Sequence, residues 1–151
     1  MNFKTVSKIE GHPVDLGFKR PPILQAFPGV PVRPMQEIKP VDVTSPTNGV
    51  YIFNLGQNFA GVARLKVKGH AGTVVRLRYG EMLYPDGRLM TENLRRARAT
   101  DFYVLRGDKH GETYTPCFTY HGFQFVEVVG YPGKPGEDAI TGIVLQSDTP
   151  L

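Results

Sequence analysis

From Ala63 to Tyr79 apolar and cationic residues alternate with a period of two. In VARLKVK, Ala63, Leu65 and Val67 share one face while Arg64, Lys66 and Lys68 share the other. GHAG supplies a turn, and TVVRLRY resumes with Val75, Leu77 and Tyr79 opposite Arg76 and Arg78. A helix would scatter these side chains around its axis, whereas a pleated strand segregates them. One dry face and one wet face is the signature of an antiparallel hairpin packed on one side only. The pattern recurs in VYIFNL, where Tyr51, Phe53 and Leu55 share a face, and strand-like runs follow in DFYVLRG, ETYTPCFTYHGFQFVEVVG and AITGIVLQ. Turn-rich words separate these runs. GQNFAG reads as a break, and YPDG (Tyr84 to Gly87) as a tight turn, because proline presets its first corner and glycine tolerates its exit. The chain is therefore predicted to be all-β: an antiparallel β-sandwich, jelly-roll-like, of seven or eight strands with little helix. The expected core is Phe53, Leu55, Leu65, Val67, Val75, Leu77, Val104, Phe118, Val126 and Val144.

Proline limits where this pattern can begin. Eight of the 13 prolines fall at or before Pro46, and proline fixes φ and removes a backbone donor. Residues 1–34 are read as a proline-rich extended connector, with an edge strand near its start, and residues 35–151 as the sandwich module. QEIKPVDVT offers a short strand with Ile38, Val41 and Val43 as its apolar positions. A chain of 151 residues is long enough for one domain that buries roughly two-thirds of its unfolded surface. Cys117 has no partner for an internal disulfide, and the four histidines are scattered without zinc-ligand spacing, so no metal or cofactor is expected. A net charge of +4 is too mild to argue for nucleic acid. The basic strands also lack interleaved exposed aromatics on which bases would stack. No apolar run reaches membrane-spanning length, and MNFKTVSKIEGH lacks the apolar core of a signal peptide. The single cysteine fits an intracellular protein and a disulfide-free secreted one alike; the expectation is a soluble protein, the cytoplasm favoured, with no membrane partner.

Motifs of catalysis are sparse. GxGxxG, GK[ST] and GxSxG are absent. Glu81 and Glu92 flank one turn, and a carboxylate pair is what glycoside hydrolysis uses, one to protonate the leaving oxygen and one to attack or activate water. Pairing of each with a nearby arginine is the preferred reading, because hairpin glutamates are usually solvated or ion-paired. The aspartate of YPDG has no second acidic ligand at calcium-loop spacing. In FTYHGFQF the rings could form a sugar platform, with Tyr120, His121 and Phe123 as contact candidates. Alternating aromatics in a strand are more often core, although His121 before Gly122 breaks the alternation and suggests a bulge.

Taken in order, GVYIFNLGQNFAGVARLKVKG, GTVVRLRYGEMLYPDGRLMTENLRRARATDFYVLRGD, FTYHGFQFVEVVGYPG and VLQSDTP resemble one module of the bacterial α-L-rhamnosidases, glycoside hydrolase family 78. The resemblance runs from about Ile38 to the C-terminus and departs at Val62, where the family pattern leads one to expect Trp. It implies a non-catalytic, concanavalin-like β-sandwich that precedes a helical (α/α)6 barrel carrying the catalytic acids. The implied partners are that barrel and neighbouring β-domains. The implied role is an accessory one in an enzyme releasing terminal L-rhamnose, with this chain alone inactive and no catalytic residue of its own. The alternative is a carbohydrate-binding module for rhamnose-containing glycans. A self-contained glycosidase would need two carboxylates in a cleft.

The stretch TENLRRARATD packs Arg95, Arg96 and Arg98 into four positions. Glu92 and Asp101 lie beside them, and a phosphate-reading surface would rarely neutralise itself so. A clamp is expected instead, on this domain or toward the next, built from Glu81, Glu92, Asn93, Arg95, Arg98 and Asp101. Arg95 and Arg98 would be partly buried against carboxylates such as Glu81 or Asp101, or against backbone carbonyls, leaving Arg96 more exposed. Good helix formers allow one helical turn within the stretch.

Overall fold

The computed structural model describes residues 25–149. Most of the expected connector, including any strand near residue 1, lies outside them. The described residues form ten strands: β1 (Val32–Ile38), β2 (Asp42–Thr47), β3 (Val50–Val67), β4 (Val74–Gly80), β5 (Met82–Leu83), β6 (Leu89–Met90), β7 (Thr100–Val104), β8 (Glu112–Tyr114), β9 (His121–Val129) and β10 (Ile140–Ser147). Among the described residues helix is limited to two short 3-10 turns, Glu92–Leu94 and Glu137–Ala139. No helix among the described residues is long and apolar enough to cross a membrane.

Eight strands make one antiparallel sheet in the order β1-β10-β3-β9-β4-β7, with β2 and β8 also paired to β3. The 18-residue β3 is the spine. Its first part lies between β2 and β9, while its later part pairs with β10 and then β8. One strand thus serves both halves of the curled sheet, and the two inner faces meet over a shared core. The predicted break at GQNFAG is instead the bend inside this strand. Gly56 adopts φ 78°, and the pairing with β9 shifts register between Asn54 and Phe59. A bulge of this kind turns a strand without ending it. At Gly61 the backbones of β3 and β10 approach so closely that a Cβ would lie 2.0 Å from the Ile143 carbonyl oxygen.

The inner faces carry the expected alternation. Phe53, Leu55, Leu65, Val67, Val75, Leu77 and Val126 are buried, and Val144 packs half-buried against them. Two expected core residues are not core: Val104 is 55% exposed and Phe118 fully exposed. Phe118 lies on the loop between β8 and β9, off any sheet face. In β7 the phase is reversed, with Asp101 buried, Tyr103 half-buried and Phe102 and Val104 exposed. β1 begins at Val32, inside the stretch read as connector, and is an outer strand of the sheet. Its Pro34 sits beside a register shift, where a missing donor is tolerated. YPDG turns as expected: the Gly87 N–H donates to the Tyr84 carbonyl at 2.9 Å, closing the β5–β6 hairpin.

Candidate functional site

Asp101 explains the phase of β7. The residue is 7% exposed, and its carboxylate gathers three partners. The Tyr79 hydroxyl donates to Oδ2 at 2.8 Å, the Thr119 hydroxyl donates to Oδ1 at 2.8 Å, and His121 Nε2 lies 3.2 Å from Oδ2. The His121 ring stacks on Tyr79 with centroids 4.1 Å apart. Burial first, and then the Asp101 charge, push the Tyr79 hydroxyl's pKa far above its usual 10, so it stays a neutral donor. A buried carboxylate with three donors outweighs a valine's preference for the interior, and one residue of phase moves a whole strand.

The acidic residues of the expected clamp therefore face other partners than the arginines. Asp101 points inward. Glu81 accepts from Asn58 Nδ2 at 3.0 Å and from Asn93 Nδ2 at 3.2 Å, which ties the β3 bend to the 3-10 turn. Of the clamp candidates, Glu81 and Asn93 are thus brought together. Glu92 lies by the Tyr84 hydroxyl and raises its pKa, chiefly by accepting its hydrogen bond. The expected pairing of Arg95 or Arg98 with Glu81 or Asp101 does not form. Arg95, Arg96 and Arg98 are all exposed, and among the described residues none of them makes a salt bridge. The single helical turn does form, at Glu92–Leu94.

These arginines instead line an open groove of about 420 Å³ with Arg76, Arg78 and Phe102. Arg76 Nη2 bonds Glu127 Oε1 at 2.8 Å, and Arg78 Nη2 donates to the Thr91 hydroxyl at 2.9 Å. The buried Arg76 Nε has no hydrogen-bond partner among the described residues. Two non-glycine residues with positive φ, Arg95 at 53° and Ala99 at 39°, bracket the loop that presents the arginines. Such backbone is costly and persists where surrounding contacts over-determine it.

The sugar-contact candidates separate. Phe123 is wholly buried, edge-on to Tyr79 with centroids 4.8 Å apart and 4.6 Å from Phe59, so it is a core residue and offers no platform. His121 belongs to the Asp101 network. Tyr120 alone is open, 75% exposed, beside an apolar hollow with Val32 and Leu145. Among the described residues no three His, Cys, Asp or Glu side chains converge to hold a metal ion.

Sequence reasoning missed Asn58, Thr119, Glu112 and the polar role of Tyr79. Glu112 is buried and accepts from the Tyr103 hydroxyl at 2.6 Å and from the N–H groups of Arg106, Gly107 and Asp108 at 3.0, 2.9 and 3.2 Å. These bonds, Tyr103's first, hold its pKa down at about 2 against its own desolvation. It is a structural clamp on the RGDKHG turn. The available signal was a lone glutamate just after a glycine turn, entering a strand.

Residues 44–146 match the family of the bacterial alpha-L-rhamnosidase concanavalin-like domain. The alpha-L-rhamnosidase of Streptomyces avermitilis is 52% identical over 121 residues, which is 80% of this chain and 12% of that protein. The crystal structure of the Streptomyces avermitilis enzyme complexed with L-rhamnose superposes with a TM-score of 0.78 at 51% identity, again over 80% of this chain and 12% of that one. The alpha-L-rhamnosidase structure from Dictyoglumus thermophilum gives a TM-score of 0.76 at 41% identity over 79% of this chain and 14% of that one. The chain thus spans about an eighth of the length of the Streptomyces avermitilis protein. Fold, sequence and extent agree, and the chain belongs to the bacterial α-L-rhamnosidase family as its concanavalin-like β-domain.

Proposed function

We propose that this chain is an accessory β-domain of an α-L-rhamnosidase, one that supports and orients a helical (α/α)6 catalytic barrel and performs no hydrolysis itself. The observation that carries the reading is its extent: 80% of the chain aligns at 52% identity with 12% of a named alpha-L-rhamnosidase. The internal use of its carboxylates adds support. Asp101, Glu112 and Glu81 are each held by two or more protein donors, which is the chemistry of structural clamps and not of a general acid awaiting substrate.

A chimera tests the role. Replacing the matched segment of the Streptomyces avermitilis enzyme with residues 44–146 of this chain should preserve hydrolysis of a chromogenic α-L-rhamnoside, whereas deleting the segment should lower that enzyme's thermal stability. The purified chain alone should show no turnover. Turnover by the chain that disappears in a Glu81→Gln variant would overturn the reading. The alternative, a module that holds rhamnose-containing glycans, rests on Tyr120 and its hollow, and saturable binding of L-rhamnose lost in Tyr120→Ala would favour it.

A further inference from the structure

The reversed phase of β7 leaves apolar side chains on the outside of the sheet. Phe102 is 61% exposed and Val104 55%, and Val74, directly across from Val104 on β4, is 49% exposed. Arg76 lies across from Phe102, and Arg78 from Thr100. The strip therefore runs without interruption from apolar (Val74, Val104, Phe102) to cationic (Arg76, Arg78), and on into the loop carrying Arg95, Arg96 and Arg98. Exposed arginine beside exposed aromatic and aliphatic groups is the composition of an interface core, where lysine is depleted. Among the described residues no lysine lines the groove. Only Arg76 of its five guanidiniums is paired with a carboxylate among the described residues, and even Arg76 keeps a buried Nε without a partner.

We propose that this strip and groove form a docking surface for a polypeptide surface bearing carboxylates beside apolar side chains. The charge asks for carboxylates, since guanidinium forks donate to them in bidentate fashion. The contiguous apolar half asks for aliphatic side chains, which a polyanionic sugar or a phosphate does not offer. The strained loop fits the same role, because a preformed arginine array loses less entropy on binding. Assigning the partner to another domain of the same enzyme rests on the accessory reading above; the chemistry of the surface does not.

The test reads amide chemical shifts of the chain during titration with an acetylated hexapeptide of alternating glutamate and leucine. Parallel titrations use the glutamine–leucine analogue and trigalacturonate. Saturable shifts are expected at Arg76, Arg78, Arg95 to Arg98 and Phe102. Binding of the acidic peptide should weaken about 10-fold or more in Arg96→Glu/Arg98→Glu, and should also weaken in Phe102→Ser. These positions are exposed, so dispersed spectra are expected of the variants, and Arg95→Glu provides an independent third. The proposal is overturned if the peptide gives no saturable shifts, if the shifts lie elsewhere, or if the arginine variants bind as well as the parent. Tighter binding of trigalacturonate, indifferent to Phe102→Ser, would also overturn it and assign the groove to an acidic saccharide. None of these readouts uses rhamnoside hydrolysis or a catalytic domain, so the docking surface can fail while the accessory role stands.

Discussion

Removing the Tyr79–Asp101 bond should destabilise the domain in a way that the two single substitutions cannot explain additively. Asp101→Ala leaves the Tyr79 hydroxyl, in a fully buried side chain, without its 2.8 Å acceptor, and an orphaned buried donor costs about 1–3 kcal/mol. It also removes a charge-assisted bond from Thr119, itself worth about 1.5–3 kcal/mol when well shielded. A total of about 3–5 kcal/mol is expected, which at a urea slope of about 1–3 kcal/mol per molar moves the midpoint by at least 1 M. Tyr79→Phe keeps the ring and its packing but takes one of the carboxylate's donors, at about 1.5–3 kcal/mol. In the double variant neither group is left stranded by the other. Its cost should fall short of the sum by about 1.5 kcal/mol or more. Urea denaturation of the four proteins, followed by tyrosine-independent far-ultraviolet circular dichroism, measures the cycle. Costs that add to within about 0.5 kcal/mol would refute the network as the reason for the β7 phase.

Glu112 predicts a pH dependence. Its pKa is lowered from the usual 4.5 to about 2 in the folded chain, so the folded state favours its charged form. The stability it contributes is complete above pH 4.5 and is lost as the pH falls through about 2; Glu112→Gln should flatten the acid limb in that interval, and an unchanged limb would contradict the assignment. Gly61→Ala should destabilise strongly, by about 2 kcal/mol or more, because its Cβ would fall 2.0 Å from the Ile143 carbonyl; a thermal midpoint equal to the parent's would mean the strands separate more easily than their pairing implies. Phe123→Ala should cost about 3–5 kcal/mol, since the ring is wholly buried, while Tyr120→Ala should cost under about 0.5 kcal/mol; the reverse order in guanidinium unfolding would invert the assignment of core and surface. Alanine at Arg95, Arg96 or Arg98 should each shift the chain's stability by less than about 0.5 kcal/mol, and a larger loss at any of them would reveal an internal clamp.

What the sequence determined by itself was everything that depends on period. Alternation in VARLKVK and TVVRLRY decided which side chains of β3 and β4 face the core, because adjacent Cβ atoms on a strand must point to opposite faces. The YPDG turn was legible for a similar reason, as its conformation is set within four residues. The family was legible in the order of such words. Tertiary structure decided whatever depends on residues far apart in the chain. Asp101 could be placed only once Tyr79, Thr119 and His121, 18 to 22 residues away, had converged on it. That convergence set the phase of β7, put Val104 outside, and withdrew from the arginines one of the two acids that flank them in sequence. GQNFAG carried the residues of a turn, but pairing with β9 on either side of the bulge, at Asn54 and again from Phe59 to Gly61, carried the strand through it. Asp101 points inward from β7 and Glu92 lies by Tyr84, while the arginines stand on the exposed loop between them, so TENLRRARATD looked neutralised when read as a line and is cationic when folded.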